Sequence, residues 1–427
     1  MEMQLFEKLI DHHEAVRLVL EKTSRLPVER VPLETAQGLA LAEDLRARFD
    51  SPPFDNSAVD GYALRSADTE EGRVFRVVDE APAGRPSEKT VGEGEAIKIF
   101  TGGVIPDGAD AVVMVENTSG WGEEFELKKA AAPGQNVRRS GEDVREGDVI
   151  LGAGTEIGAP EIGLAATQGY GQLPVYRKPK VAVLSTGTEL VTPGDRDLSP
   201  GEIYDSNSFA ILAQAREAGA EARRISAASD DADVLREAIR QALQTADVVV
   251  TSGGVSVGEK DLVKGTMTEL GVEQVFWGVK FKPGKPLFFG VWEGGSVFGL
   301  PGNPVSAMVC FELFVRPALM RLGGRADRKR PRVQVYFDHD VNNQFGRMHA
   351  MRVTLEPTEM GWRAESVGAQ GSGLVSSLTK ADALALIGPE SEGVRAGTPV
   401  EAIVLREEIV TGKGTMGYDG QMVELGT

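Results

Sequence analysis

The chain of 427 residues carries 46 Lys and Arg against 64 Asp and Glu, a formal net charge of −18, with 41% hydrophobic and 26% charged residues. It is too long for one hydrophobic core, so two to four domains of ~100–200 residues are expected. The acidic surface excludes a general nucleic-acid or anionic-membrane binder, while a few lysines in a cleft can still hold a small anion.

The single cysteine, Cys310, rules out an internal disulfide and suits a reducing compartment; within Val309-Cys310-Phe311 it reads as a buried, inert thiol. The start lacks a basic n-region and an apolar h-region, and no apolar run approaches the ~18 residues of a membrane span, so a cytoplasmic protein is expected. Four histidines form no ligand cluster, which leaves carboxylates as metal donors and makes Mg²⁺ the fitting ion.

In chain order, residues 5–24 carry a helical pattern with Ile10, Ala15, Leu18 and Val19 on one side. Asp50 to Tyr62, with Pro52 and Pro53 and a run of small polar residues, reads as a loop before a strand, because two prolines forbid helix. Asp60, ahead of Gly61, fits a turn as well as a functional carboxylate. Residues 73–140 alternate apolar and polar with frequent Gly and Pro, as a small β domain does. Arg138 and Arg139 beside Glu142 and Asp143 fit a solvated ion cluster. A helix is expected from Pro160 to Gly169, and Pro174 and Pro179 mark a boundary.

From Lys180 the pattern becomes α/β. Val181–Leu184 is a strand leaving through Ser185-Thr186-Gly187-Thr188-Glu189; Ser206 is placed to cap a helix carrying Phe209, Leu212 and Ala213, which Gly219 stops. Asp230-Asp231 opens a helix with an apolar stripe of Val234, Leu235, Ala238, Ile239, Ala242 and Leu243, one of the two aspartates serving as N-cap. Val248-Val249-Val250 then reads as a strand buried on both faces, running into Thr251-Ser252-Gly253-Gly254-Val255-Ser256 and on to Asp261, before a helix with Val263, Met267 and Leu270. That loop lies beyond the carboxyl end of a parallel strand, where open α/β sheets place ligands and backbone N–H groups can face a phosphate. The same glycines also fit a plain βα connection.

Lys280-Phe281-Lys282-Pro283-Gly284-Lys285-Pro286 holds three lysines that cannot all pair locally, which suits a diffuse anion. Gly299-Leu300-Pro301-Gly302-Asn303-Pro304 ends a strand and enters an apolar helix, Val305 to Leu322, bringing a helix N-terminus to the same sheet edge. Residues 321–332 read as a basic, solvated linker; Val333–Phe337, Arg352–Leu355 and Val400–Leu405 read as strands of a β unit, followed by a loose tail from Glu407.

Phe54 to Tyr62, Phe100-Thr101-Gly102-Gly103, Gly141-Glu142-Asp143, Ser185 to Leu190, Thr251 to Asp261, Lys282 to Pro286 and Gly299 to Pro304, taken together and in this order, resemble the molybdopterin molybdenumtransferases, whose animal and plant relatives form the E domain of gephyrin-type proteins. The resemblance implies a multidomain α/β plus β fold. Residues 1–50 with 141–176 would form a helical linker domain, 51–140 a small β-rich domain, 177–325 a three-layer α/β/α molybdopterin-binding domain and 326–427 a C-terminal β-barrel. It implies a homodimer, with the site shared between subunits, and a partner in the enzyme that adenylylates the pterin.

The reaction implied is insertion of molybdenum from molybdate into adenylylated molybdopterin, helped by Mg²⁺ and releasing AMP. The implied catalytic acids are Asp60, Asp143, Glu189, Asp230 (or Asp231) and Asp261, with Asp60, Asp143, Glu189 and Asp261 as the Mg²⁺ donors. Thr101, Ser185, Thr186, Gly187, Ser252, Gly253, Gly254 and Ser256 would bind the pterin and its phosphate. Lys282, Lys285, Pro301, Pro304, Arg352 (or Arg347) and Ser372 would line the oxyanion pocket. Some relatives carry lysine where this chain has Gly278, which leaves the role of Lys280 open, and Thr188 replaces an acid, which puts the weight on Glu189. A molybdopterin adenylyltransferase and a non-catalytic gephyrin-like scaffold are the alternatives; the first consumes ATP without molybdate, and for the second no appended partner-binding region is visible.

Overall fold

The computed structural model describes residues 9–227, 232–253, 262–325 and 329–411. The chain divides into two compact units, one built from Arg30–Gln37 and Leu41–Pro174, the other from Met1–Glu29, Gly38–Ala40 and Val175–Thr427.

The first element is α1 (His12–Lys22). Residues 5–8 of the expected helix lie outside the described residues, and from residue 9 the helix waits until His12, because the Asp11 carboxylate accepts from the Glu14 N–H at 2.8 Å and caps it there. Ile10 instead makes an isolated parallel bridge to Val279. Ala15 and Val19 are buried as expected, and the His12 ring stacks on Phe281 and meets Phe314 edge-on.

In the unit from Arg30 to Pro174, β1 (Gly61–Leu64), β2 (Val74–Ala81), β3 (Glu95–Ile99), β4 (Ala111–Met114) and β5 (Glu124–Glu126) form one sheet in the order β4-β1-β3-β2-β5. Tyr62 stacks on Phe125 with centroids 3.9 Å apart, and Phe75 backs them, giving the unit its own core. Gly61 is required where β1 crosses β4: a Cβ there would lie 1.9 Å from the Val113 carbonyl oxygen. Helix α2 (Ala159–Thr167) sits where the sequence places it.

In the other unit, β6 (Lys180–Thr186), α3 (Asn207–Glu217), β7 (Glu221–Ala227), α4 (Ala232–Thr245), β8 (Val248–Ser252), α5 (Leu262–Glu269), β9 (Glu273–Trp277), β10 (Phe288–Trp292) and β11 (Gly295–Leu300) build a mixed sheet. Its order is β7-β6-β8-β11-β10-β9, parallel through β11 and antiparallel beyond. Val248 and Val250 pack into a core with α3, while Val249 packs into another with α4 and α5, so all three valines are fully buried. Each contributes roughly 1.5–3 kcal/mol by leaving water.

Three local expectations are corrected. The cap of α3 is Asp205, which accepts from the Ser208 N–H at 3.0 Å, because Ser206 has helical φ/ψ and makes no cap bond. The buried face of α3 is Ile211 and Ala215, while Phe209 is 40% exposed under the Arg224 guanidinium. Val234 is also exposed, so the α4 stripe narrows to Leu235, Ala238, Ile239 and Ala242 with Leu243 packed partly buried beside them.

The helix from Pro304 is interrupted: α6 (Pro304–Cys310) gives way to a π-turn at Phe311–Val315 before α7 (Arg316–Leu322). Pro317 lacks the N–H a regular turn needs, which accounts for the widening. The turn buries Glu312, whose carboxylate meets Arg330 at 2.8 Å and Arg316 at 3.2 Å. Residues 321–332 are therefore no solvated linker, since Arg325 is also buried and donates to the Ala218 carbonyl.

Next, β12 (Arg332–Tyr336), β13 (Met348–Thr358), β14 (Gly361–Ser366), β15 (Ala383–Ile387) and β16 (Val400–Val404) pair in the cycle β13-β14-β12-β16-β15-β13, a closed five-stranded barrel without free edges. Phe281–Lys282 joins its outside, parallel to Met348–His349. The described chain ends in a short helix, Glu407–Thr411. No described helix is long and apolar enough to cross a membrane.

Candidate functional site

In the unit from Arg30 to Pro174, Asp60 and Thr101 come together at the ends of β1 and β3. The Asp60 Oδ1 accepts from both the Thr101 N–H and its hydroxyl, each at 2.8 Å. Those two bonds hold the Asp60 carboxyl below its usual range, so it is an exposed, ionised oxygen donor aimed by a threonine. Asp143 lies in the same unit, exposed, its N–H bonded to the Ser51 carbonyl. Arg139, read as part of a surface ion cluster, bridges to Asp55 at 2.6 Å.

In the α/β unit the register sets Ser185, Ser252 and Leu300 side by side at the carboxyl ends of β6, β8 and β11. The loops leaving these strands hold Thr186, Gly187 and Glu189; Gly253; and Pro301 to Pro304. Gly253 has φ +87°, and a Cβ on it would approach the Thr186 carbonyl oxygen to 3.0 Å, so these two loops touch through bare backbone. The Glu189 carboxylate folds back over Gly187. Asp205, 5% exposed, accepts from the Ser185 hydroxyl at 3.1 Å and from the Arg224 guanidinium at 3.3 Å. Thr186 Oγ1, Thr251 Oγ1 and Asn207 Oδ1 are buried with no hydrogen-bond partner among the described residues. Such orphaned polar atoms at a sheet edge are what a polar ligand satisfies.

The lysine loop is fixed by Gly284, with φ +118°, where a Cβ would fall 2.2 Å from the Cys310 sulfur. Burial pushes the Cys310 thiol up, so it remains a protonated packing group as the sequence suggested. Lys282 and Lys285 are exposed on this loop. Across the strand pair from Lys282 stands His349, 4% exposed, with Nδ1 unpartnered. Burial first, then Lys282 and Arg352, lower its pKa to about 4, so it is neutral near pH 7.

Arg352 is the most unusual charge in the site. It is 1% exposed, and its guanidinium bonds only neutral acceptors: Gln370 Oε1 at 3.0 Å, the Gly371 carbonyl at 3.1 Å and Ser377 Oγ at 2.7 Å. No carboxylate pairs with it among the described residues, and burial alone lowers its pKa. Ser372, next to Gly371, is pinned to the loop after β11: Asn303 Nδ2 donates to its hydroxyl at 2.9 Å and the Val305 N–H to its carbonyl at 3.0 Å. The Val305 N–H, in the first turn of the helix whose N-terminus was expected at this sheet edge, is thus already used.

Asp230, Asp231, Gly254, Ser256 and Asp261 lie outside the described residues. Among the described residues no three His, Cys, Asp or Glu side chains gather closely enough to hold a metal; Asp60 and Asp143 belong to one unit and Glu189 to the other.

Residues 10–169 match the MoeA N-terminal region (domain I and II), 182–321 a probable molybdopterin binding domain and 334–405 the MoeA C-terminal region (domain IV). The molybdopterin molybdenumtransferase of Haemophilus influenzae is 37% identical over 378 residues, 87% of this chain and 92% of the relative. The chain belongs to the molybdopterin molybdenumtransferase family. The Bacillus subtilis molybdopterin molybdenumtransferase is 36% identical over 406 residues, 92% of this chain and 94% of that one. Two structures of the molybdopterin biosynthesis moeA protein from Pyrococcus horikoshii superpose with TM-scores of 0.80 and 0.74 at 35% and 33% identity, each covering 93% of this chain and 99% and 100% of theirs.

On this molybdenumtransferase chain the N-terminal match spans Asp60, Thr101 and Asp143, the molybdopterin-binding match spans Ser185 to Pro304, and the C-terminal match holds Arg352 and Ser372. Sequence reading missed Asp205, Asn207, Asn303, His349 and Gln370. The run Asp205-Ser206-Asn207 gave a signal, a polar triplet before a helix, but it reads as a cap; His349 and Gln370 gave none.

Proposed function

We propose that the chain inserts molybdenum from molybdate into adenylylated molybdopterin with release of AMP, acting as a cytoplasmic homodimer that receives its pterin from the adenylylating enzyme. The observation carrying this reading is Arg352: a buried guanidinium with neutral acceptors only is costly unless an anion completes it. Ser372, Lys282 and Lys285 join Arg352 as the proposed oxyanion pocket, and a tetrahedral dianion such as molybdate suits the donors of a guanidinium. Molybdate and the thiolate-bearing pterin are both anionic, so the work of these side chains is to hold two repelling substrates in reacting distance.

Ser185, Thr186, Gly187, Ser252 and Gly253, with Gly254 and Ser256 beyond the described residues, are the proposed cradle for pterin and phosphate in the domain proposed as three-layered. The orphaned Thr186 and Thr251 hydroxyls support that placement. Pro301 and Pro304 stiffen the loop separating the two pockets. Asp60, Asp143, Glu189 and Asp261 are the proposed Mg²⁺ donors, with Asp230 as a further acid. Their hard oxygens match the ion's chemistry, and when bound it would screen phosphate charge. No described carboxylate cluster gathers around an ion position, so no step here runs through it.

The test is to mix the protein with adenylylated molybdopterin, Mg²⁺ and molybdate under anaerobic conditions and follow AMP. Molybdate-dependent release supports the reading. ATP consumption without molybdate would replace it with adenylyl transfer, and pterin binding with no nucleotide chemistry would leave a scaffold.

A further inference from the structure

Asn207 opens α3, at a position where a helix needs only a cap, and that task already belongs to Asp205. Its side chain reaches away from the helix. The amide nitrogen donates to Ser252 Oγ at 2.8 Å and to the Gly302 carbonyl at 2.7 Å, so one side chain ties the end of β8 to the loop after β11. The amide orientation is fixed by chemistry, since Gly302 offers only an acceptor and a flipped amide would set two oxygens against each other. With both N–H groups spent, Oδ1 remains, buried and without a partner among the described residues. Two further orphans among the described residues, Thr186 Oγ1 and Thr251 Oγ1, lie at the ends of β6 and β8.

The oxyanion side of the same loop has an independent anchor. Asn303 and Val305 are held by Ser372 through bonds of 2.9 and 3.0 Å, and neither involves Asn207. Losing Asn207 unties Gly302 from Ser252, while Ser252 stays paired with Leu300 in the β8–β11 ladder and Ser372 and Arg352 stay tied.

From this geometry we propose that Asn207 is a positioning residue for the pterin substrate: it fixes the β11 loop at Gly302 to the end of β8, and molybdate binding does not depend on it. The proposal rests on the molybdenum-insertion reading for the identity of the ligand.

The test measures two dissociation constants on the full chain by titration without turnover, one for adenylylated molybdopterin and one for molybdate, with thermal unfolding to confirm the fold. Asn207→Ala removes both hydrogen bonds and should weaken pterin binding about tenfold or more while molybdate binding stays within about twofold. Asn207→Asp is isosteric and keeps a bond to Ser252, but it has no proton to give Gly302; it should show the same selective loss and serves if the alanine variant does not fold. Unchanged pterin binding, or parallel weakening of both ligands, overturns the proposal. A wild-type protein that binds the pterin but releases no AMP overturns the insertion reading and leaves this inference standing. A wild-type protein that binds no pterin overturns both.

Discussion

Replacing Arg352 by Met separates the two demands that a buried cation makes on its surroundings. In the ligand-free protein the guanidinium carries a desolvation cost of several kcal/mol, set against three bonds to neutral acceptors worth roughly 1.5–3 kcal/mol each. Arg352→Met removes both sides of that balance with a side chain of similar length, so ligand-free stability should move by no more than about 2 kcal/mol. Molybdate binding should respond differently. Nη2 has no bond to any described residue, and truncating one partner of a buried charge pair costs roughly 2–5 kcal/mol, so affinity should fall by about 30-fold to several thousand-fold. Calorimetric titration of molybdate at fixed ionic strength, with sulfate as a control anion, measures this directly. Molybdate bound by the variant within about threefold of wild type would place the anion elsewhere and refute the argument.

Asp60→Asn keeps an acceptor for both Thr101 bonds and removes the charge; single-turnover AMP release should drop by about a hundredfold with little change in melting temperature, and an undiminished rate would remove Asp60 from the chemistry. Glu312→Gln leaves Arg316 and Arg330 facing a neutral group at the π-turn and should destabilise the α/β and barrel unit by about 3 kcal/mol in urea unfolding, without altering molybdate affinity in the folded protein. His349 has a folded pKa of about 4 against 6.5 unfolded, so the unfolded chain takes up its proton first. Its contribution is present above pH 6.5 and lost as pH falls towards 4, up to about 3 kcal/mol in all. His349→Gln should flatten that part of the stability profile. His12, also at about 4, supplies a second loss over the same range and should remain.

The strands of the α/β sheet were legible because both faces are buried: Val248-Val249-Val250 can hardly be anything else, and the glycine loop behind it marks a carboxyl edge. The same logic failed on α3. A period of 3.6 puts Phe209 on the apolar side, yet the helix is pinned from outside by Asp205 and Asn207, which rotates Ile211 and Ala215 inward and leaves Phe209 under Arg224. Arginines are harder still. Arg330 in a Gly- and Pro-bearing run reads as solvated until Glu312, 18 residues earlier, is turned towards it by a π-turn that periodicity cannot announce.

Arg352 was picked out by resemblance, but what sets it apart is the want of a counter-ion, and that is a property of barrel closure. Pairing of β13 with β14 and β15 buries the guanidinium, and the turn at Gln370 and Gly371 supplies oxygens without charge. Ser372 reaches the loop after β11 through Asn303, 69 residues away in the chain. A pocket assembled this way has its residue types in the sequence and its electrostatics only in the fold. Each polar group there is therefore better judged by what it lacks than by what it is: Arg352 an anion, Asn207 a donor, Thr186 and Thr251 any partner at all. Two of these groups are tied to the Pro301–Pro304 loop at different points, Asn207 at Gly302 and, by way of Ser372 beside the Gly371 carbonyl that Arg352 bonds, the Arg352 turn at Asn303.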